Sequence, residues 1–299
     1  MSAVPLMFRG GRLPAEPARP HLKFSKYAGA LALPPASADW LSLVTSFQML
    51  LNDQLGDCTF AGVGHKVAGD TRYGQGATTE ITDQDALTGY EVVGGYRQGD
   101  PSTDQGCVMQ DVLKYWQKTG VGGHKIVAYA KVDISNLDEL KQAIAMFGQV
   151  YAGFNFPSTA MDQFNAGHPW TVVKGAKIEG GHCVTIGAYD ADGLDVVTWG
   201  KVQRMTWGFF TKYFDEVWVV LDDDFESTRT GLDAQGWDKA QLGADFAALT
   251  GDPSPWPADP TPTPVPTPTP VPPAPVPTPP CSCAALVAAI KAVFKSFGF

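Results

Sequence analysis

The chain has 299 residues, of which 44% are hydrophobic and 18% charged, enough to build the core of one large domain or two modest ones. Its formal net charge of −9, with no local run of Lys or Arg, argues against a nucleic-acid partner, because no basic excess is available to neutralise phosphates. The five cysteines are too few and too irregularly spaced for a disulfide framework or a structural zinc site, and nothing in the sequence implies a cofactor or a bound metal.

Residues 1–32 are predicted to form an extended N-terminal arm, because Pro, Gly and Arg recur in "MSAVPLMFRGGRLPAEPARP". The arm has no apolar core of signal-peptide length, so we expect synthesis in a reducing cytosol. Release by lysis or packaging into a virion would leave no mark of this kind in the sequence.

Regular patterning begins after the arm, and residues 33–251 are predicted to form the main domain. A first helix is expected to start at Cys58, and apolar residues from Met109 to Trp116 indicate a second. A third helix is predicted over Leu137 to Phe147, because Asn136 with Glu139 three residues later is a capping pattern.

The period of the apolar residues then changes from helical to alternating. The segments "QVYAGFNF", "HCVTIGAYD", "LDVVTWG" and "VWVVLD" are short, β-branched and aromatic, and Gly and Asp turns separate them. A weaker helical stretch follows at 237–251. Helices first and an antiparallel sheet after them predict an α+β fold.

Residues 252–280 are a Pro/Thr-rich linker, "PTPTPVPTPTPVPPAPVPTPP" at its centre, for which a stiff polyproline II conformation is expected. Residues 281–299 predict an amphipathic C-terminal helix, with Leu286, Ile290 and Phe294 on one face. This helix is short and carries two lysines, so docking to a protein partner, to itself or to a membrane surface is expected rather than a membrane span.

Cys58 lies in "LNDQLGDCTFAG", after a Gly-Asp turn and at the predicted start of a helix. A thiol there feels the positive end of the helix dipole, which lowers its pKa and favours the nucleophilic thiolate. The alternative is a buried cysteine that acts as a small hydrophobic residue. The residue alone does not separate these readings.

A nucleophilic cysteine needs a base, and His182 is the best placed of the five histidines. It follows a Gly-Gly pair and opens a strand of alternating apolar residues, so its ring can face a cleft while the strand stays buried. His65 lies two turns along the Cys58 helix, too far to meet the thiol, and the remaining histidines lie in the arm or in loops. These other three are His21, His124 and His168.

Taken together, several segments resemble the papain-like cysteine peptidases, in a divergent form associated with bacterial and phage-encoded proteins. "LPPASADW" (33–40) resembles the start of the mature peptidase domain, and Trp40 precedes Cys58 by the spacing that this family shows. "GDCTFAG" is similar to the nucleophile turn and central helix. "GGHCVTIGAYD" resembles the strand of the general base, and "VVTWGKVQRMTWGFF" the Trp-Gly segment that follows it. The resemblance covers roughly residues 33 to 225.

The resemblance implies a two-lobed fold in which a helical lobe carries the nucleophile Cys58 and a sheet lobe carries the base His182. A side-chain amide shortly before the cysteine would complete the oxyanion site. Spacing from Trp40 favours Asn52 for this role, whereas residue type favours Gln54. No cofactor or metal is implied, and the substrate would be a peptide or protein.

The sequence departs from the family in the residue that orients the histidine. The family has an Asn just before a Trp-Gly pair, and the matching position here is Val197, which cannot accept a hydrogen bond. Thr198 could do so if the register slips by one residue, and Asp195 is a second candidate. The arm is also far shorter than the inhibitory prosegments of lysosomal relatives, so latency by that route is not expected.

The leading functional hypothesis is therefore a thiol hydrolase that cleaves peptide or isopeptide bonds through Cys58 and His182, tethered by its C-terminal linker and helix. The alternative is a non-catalytic structural or attachment protein, such as a virion or surface component, on the same fold. Related acyl-transfer chemistry would need the same Cys–His pair.

Overall fold

The structure is a computed structural model that describes residues 6–27 and 33–222, together with positions 224, 244, 247 and 248. The predicted helical stretch at 237–251 falls almost wholly outside the described residues. The linker at 252–280 and the C-terminal helix at 281–299 lie entirely outside them.

Seven α-helices occur within the described residues. They are α1 (Phe24–Tyr27), α2 (Cys58–Gln75), α3 (Asp83–Gly94), α4 (Met109–Lys118), α5 (Leu137–Phe147), α6 (Ala160–Asn165) and α7 (Trp207–Tyr213). The predicted starts at Cys58 and Met109 are confirmed. The α5 cap is confirmed as well, because the Asn136 side chain accepts a hydrogen bond from the backbone N–H of Glu139. No helix of this described part reaches the length and apolarity that crossing a membrane requires.

The sheet has seven strands in the described part of the chain. They are β1 (Ala38–Asp39), β2 (Ile126–Lys131), β3 (Val150–Pro157), β4 (Ile178–Tyr189), β5 (Gly193–Thr198), β6 (Lys201–Thr206) and β7 (Phe214–Asp222). The strand order is β2-β7-β3-β4-β5-β6, with β1 paired to β4, and every pairing is antiparallel. The four predicted strand segments become β3, β4, β5 and β7, so the α+β fold is confirmed.

The central strands β3 and β4 separate two hydrophobic cores, because successive side chains of a strand point to opposite faces. On one face, Phe154 and Val184 join the core formed by the sheet with α5, α6 and α7. On the other face, Tyr151 and Cys183 join the core around α2, α3 and α4. The N-terminus of α2 and the first half of β4 meet at the boundary between these cores, where Cys58 and His182 are placed.

Candidate active site

Cys58 is the first residue of α2 and its side chain is fully buried. The turn before Cys58 is held by Asp104, which lies between α3 and α4. The backbone N–H of Gly56 donates a hydrogen bond to Oδ1 of Asp104 at 2.9 Å. Asp57 occupies the N-cap position without making a side-chain cap, and its carboxyl is itself buried. The sequence therefore places the thiol at a helix start, as expected, but in a site closed to solvent.

Burial controls the protonation of this thiol. Loss of water raises the pKa of Cys58 well above that of a free cysteine, and a hydrogen bond from the Cys183 backbone opposes the rise only in part. The neighbouring Asp57 and Cys107 raise the pKa further, while Arg12 lowers it. The helix-terminus effect predicted from the sequence is therefore outweighed in this state, and the thiol is neutral.

His182 lies on β4 opposite Phe154 and is fully buried among aromatic rings. The ring of Trp199 stacks on the imidazole with centroids 4.5 Å apart and planes 17° apart. Nε2 of His182 is 2.8 Å from Oγ1 of Thr198, whereas Nδ1 is buried without a hydrogen-bond partner. Burial lowers the pKa of His182 to about 3, so the imidazole is neutral in this state.

A two-residue turn presents Thr198 and Trp199 to this histidine. Trp199 and Gly200 connect β5 to β6, and both have positive φ, 46° and 69°. A two-residue hairpin turn of type I′ requires positive φ at both residues. This conformation is unfavourable for a bulky side chain, so the backbone at Trp199 is strained. The turn thereby aligns the Trp199 ring with His182.

Of the two candidate orienting residues, the structure brings only Thr198 to His182. Asp195 lies further along β5, where its carboxylate accepts a hydrogen bond from Nη1 of Arg204 at 2.9 Å. Val197 points into a separate small core with Leu41 and Phe47. The slipped register considered from the sequence is therefore the geometry observed for the His182 contact.

Asn52 and Gln54, the rival amide donors, have different environments. Asn52 is buried, and its Nδ2 donates to the backbone oxygen of Leu55 at 3.2 Å and to Oδ1 of Asp57 at 3.1 Å. Gln54 is exposed. Both amide protons of Asn52 are thus engaged within the turn that precedes Cys58, so its amide has to turn to reach an oxyanion.

The thiol and the imidazole lie at the same end of β4 without a hydrogen bond between them. Cys58 lies beside the backbone of Cys183, the residue after His182, on the face of β4 that meets α2. The His182 ring lies among Phe154, Phe156 and Trp199 on the opposite face. A side-chain rearrangement is required before the two groups can form an ion pair.

The N-terminal arm lies across this site. The Phe8 ring stacks on the Phe156 ring with a centroid separation of 3.9 Å, and it contacts the His182 ring edge-on with a centroid separation of 5.8 Å. Gly11 packs against Gly56, two residues before Cys58. The arm therefore lies over His182 and over the turn that precedes Cys58, although its short length does not predict latency by this route.

The arm lies in a groove between β4 on one side and the segments around Gly56 and Cys107 on the other, and backbone hydrogen bonds hold it to both sides. On the sheet side, the N–H groups of Gly11 and Arg12 both donate to the oxygen of Gly181 at 3.2 Å. On the helical side, the Cys107 N–H donates to Gly11 and the Leu13 N–H donates to Cys107, both at 2.9 Å. The arm thus runs through the groove as an added extended segment.

The groove is too narrow for a side chain where Gly11 passes. A Cβ placed on Gly11 would lie 2.1 Å from the backbone oxygen of Gly56, and one on Gly56 would lie 2.6 Å from that of Gly10. On the other wall, a Cβ on Gly181 would lie 2.2 Å from the oxygen of Arg12. The backbones of arm and wall can touch only because these positions are glycine.

The other histidines have local partners. Nε2 of His65 lies 2.8 Å from the backbone oxygen of Gln48, Nδ1 of His124 pairs with Asp224, and Nδ1 of His21 contacts the oxygen of Arg19. His168 is exposed. Among the described residues no cluster of His, Cys, Asp and Glu could hold a metal ion.

The sequence interpretation missed the arm residues that complete the site. Their signal is the Gly-Gly pair between two arginines in "FRGGR", which indicates a segment shaped for a narrow passage. The sequence predicts only an extended arm here, because nothing in the local pattern identifies the groove that receives it.

A comparison with family models and with curated proteins finds no match for this sequence. Among solved structures, the chain is similar to xylellain, a cysteine protease from Xylella fastidiosa, with 17% identity and a TM-score of 0.52 over 71% of this chain and 96% of that one. It is also similar to digestive procathepsin L 3 from the larval midgut of Tenebrio molitor, with 16% identity and a TM-score of 0.51 over 72% of this chain and 76% of that one. The α2 helix that begins at Cys58, the antiparallel sheet that carries His182 and these two likenesses agree, and the chain therefore has the papain-like fold.

Proposed function

We propose that the protein is a thiol hydrolase that cleaves peptide or isopeptide bonds, with Cys58 as nucleophile and His182 as general base. The observation that carries this proposal is the meeting of Cys58, at the N-terminus of α2, with the β4 strand at the His182–Cys183 step. The Thr198 contact to Nε2 supports it, because that contact leaves Nδ1 available to receive a proton.

In the proposed reaction His182 takes the thiol proton, the thiolate attacks the substrate carbonyl, and the imidazolium protonates the leaving amine. Water, activated by the neutral imidazole, then hydrolyses the thioester. The backbone N–H of Cys58 and an amide from Asn52 or Gln54 would stabilise the oxyanion.

The covered state is then a resting state. Burial raises the pKa of Cys58 and lowers that of His182, so both groups are neutral beneath the arm. Departure of the arm admits water, which reverses both shifts. The thiolate–imidazolium pair then forms when the two side chains lie close enough for their opposite charges to lower the Cys58 pKa below that of His182.

The proposal is tested by alkylation of the full-length chain with iodoacetamide at neutral pH, carried out on the wild type and on Gly11→Val, which is designed to expel the arm. Cys58 is expected to react at least about tenfold faster than Cys107 and Cys183 in the uncovered chain, since only a thiolate is strongly nucleophilic. Mass spectrometry of the digested protein assigns the label. Equal rates at the three thiols, with the arm shown to be displaced, would remove the basis for the enzyme.

Thr198 is a weaker orienting residue than the asparagine of the family, because a hydroxyl can donate or accept and so does not fix the tautomer of His182. Thr198→Val keeps the shape and removes the hydrogen bond, and we expect about a tenfold loss of kcat/KM with a smaller change in KM. Thr211→Val on the exposed face of α7 is the matched control. An unchanged rate in Thr198→Val would show that the Trp199 stack alone orients the imidazole.

One observation favours the second candidate function, a non-catalytic structural or attachment protein. The Cys58 thiol and the His182 ring lie against opposite faces of β4, and a purely structural role does not need the two groups to meet. The proposed tether, its docking partner and the association with a virion stay predictions, since residues 252–299 lie outside the described residues.

A further inference from the structure

The side chain of Arg12 fills a pocket beside the candidate nucleophile. Arg12 is 4% exposed, and its charge lies close enough to Cys58 to act on the thiol pKa. The backbone of Cys107, which also lies near Cys58, holds the arm on either side of Arg12 through its N–H and its oxygen. The pocket thus opens from the part of the groove next to Cys58.

Two carboxylates line this pocket, Glu216 with a buried side chain and Asp215 with a side chain that is 34% exposed. Nε and Nη2 of Arg12 each lie 2.9 Å from Oε1 of Glu216, and Nη2 also pairs with Asp215. Glu216 is held by a hydrogen bond from Nε1 of Trp218 at 3.0 Å, and Asp215 by one from Nδ2 of Asn155 at 3.1 Å. The carboxylates are therefore fixed in place by residues of the sheet rather than by the arm.

The walls of the pocket leave room for a long side chain. A Cβ on Gly153 would lie 2.4 Å from Nε of Arg12 and 2.5 Å from Sδ of Met109. Any larger residue at position 153 would occupy the space that the guanidinium now takes. Nη1 of Arg12 is buried without a hydrogen-bond partner, so this group contributes shape and charge but no bond.

A buried carboxylate without a cation is costly, so this pocket has to hold a positive group or water whenever the arm leaves. Burial alone would lower the pKa of Arg12, but Glu216 and Asp215 outweigh it and raise the pKa. The planar guanidinium can meet both carboxylates at once, which the single ammonium of Lys does less well.

We propose that this pocket, formed by Gly153, Asp215 and Glu216, recognises a basic side chain of the peptide substrate, arginine above lysine, and that Arg12 occupies the substrate's place while the arm covers the site. The proposal rests on the proposed hydrolase function for its use in catalysis. The recognition itself concerns binding and is measurable without turnover.

The first test uses full-length Gly11→Val and fluorogenic tetrapeptide substrates in which Arg, Lys, Leu or Glu is placed in turn at each of the four positions. One position is expected to favour Arg over Leu by about tenfold or more in kcat/KM, and Glu216→Gln is expected to remove most of that preference. Glu80→Gln, which changes an exposed glutamate between α2 and α3, is the matched control. Arg12→Ala provides a second uncovered chain if Gly11→Val does not fold.

The second test measures binding by calorimetry in the Cys58→Ala form of the same uncovered chain. The peptide Phe-Arg-Gly-Gly-Arg-Leu-Pro, copied from the arm, is expected to bind at least about tenfold more tightly than its counterpart with Leu in place of the second Arg. Glu216→Gln is expected to abolish the difference.

The outcomes separate the two proposals. Preferential binding of the Arg peptide without hydrolysis of any substrate supports the pocket and contradicts the hydrolase. Hydrolysis with no preference for Arg, or with a preference that Glu216→Gln leaves unchanged, supports the hydrolase and overturns the pocket. Equal binding of the two peptides overturns the pocket whether or not the chain is active.

Discussion

His182→Ala in the uncovered chain is expected to lower kcat/KM for peptide hydrolysis by about 10³-fold, because a positioned general base contributes roughly 10²–10⁴-fold. His182 is the one histidine that lies next to the strand segment contacted by the Cys58 thiol. Without an imidazole to take the proton, the thiol at neutral pH stays protonated and the leaving amine has no acid. The measurement is steady-state hydrolysis of a fluorogenic peptide, with Gly11→Val as the parent.

The control for His182→Ala is His168→Ala, which removes an exposed imidazole from the loop between α6 and β4. This variant is expected to keep the parent rate. Because His182 packs against Trp199, thermal unfolding of the alanine variant has to be measured as well, and His182→Gln keeps most of the volume. A folded His182→Gln chain with the parent rate would contradict the assignment of the base.

The pH dependence of the same assay reports the state of the pair. Burial lowers the pKa of His182 to about 3 and raises that of Cys58, so near neutral pH the two groups are uncharged while the arm is in place. When water enters, the His182 pKa rises and the Cys58 pKa falls. Once the two side chains are adjacent, the attraction between their charges lowers the Cys58 pKa below that of His182, and a thiolate paired with imidazolium exists between those two values. Thiol reactivity in the uncovered chain is therefore expected to extend to lower pH than in the wild type.

The parts of this site that are local in sequence were predictable. The helix start at Cys58 follows from a Gly-Asp turn before a run of small and apolar residues, and the α5 start follows from the Asn136 cap. Thr198 was one of two candidates for the His182 contact, and only the hairpin turn at Trp199 and Gly200 decides between it and Asp195. Positive φ at a tryptophan has no signature in composition or periodicity.

Two features were missed because their signals are weak or distant. The α3 helix (Asp83–Gly94) carries few regularly spaced apolar residues, although the Thr82–Asp85 capping box that opens it was visible in the sequence. The pairing of Arg12 with Glu216 joins residues 204 positions apart, and a lone arginine in a Pro- and Gly-rich arm looks solvated. Burial of that arginine follows only from the assembled groove.

Gly11→Val is expected to raise the alkylation rate of Cys58 by about tenfold or more over the wild type. A Cβ at this position would meet the backbone oxygen of Gly56 at 2.1 Å, and a backbone wall cannot move aside as a flexible side chain could. A tenfold change requires a shift of only about 1.4 kcal/mol in the balance between covered and uncovered states. Displacement also separates Arg12 from Glu216, so the clash at position 11 has to outweigh the loss of this ion pair.

Leu13→Ala is the matched control, since its side chain is 39% exposed and its backbone bond to Cys107 is kept. Its alkylation rate is expected to equal that of the wild type. Arg12→Ala releases the arm by a different route, through loss of the ion pair instead of a clash, and is expected to raise the rate as well. If both Gly11→Val and Arg12→Ala leave Cys58 as unreactive as in the wild type while the arm becomes sensitive to proteolysis, the thiol is inert for a reason other than coverage. The separation of Cys58 from His182 on opposite faces of β4 would then be the property of the site that matters, and the non-catalytic function would be favoured.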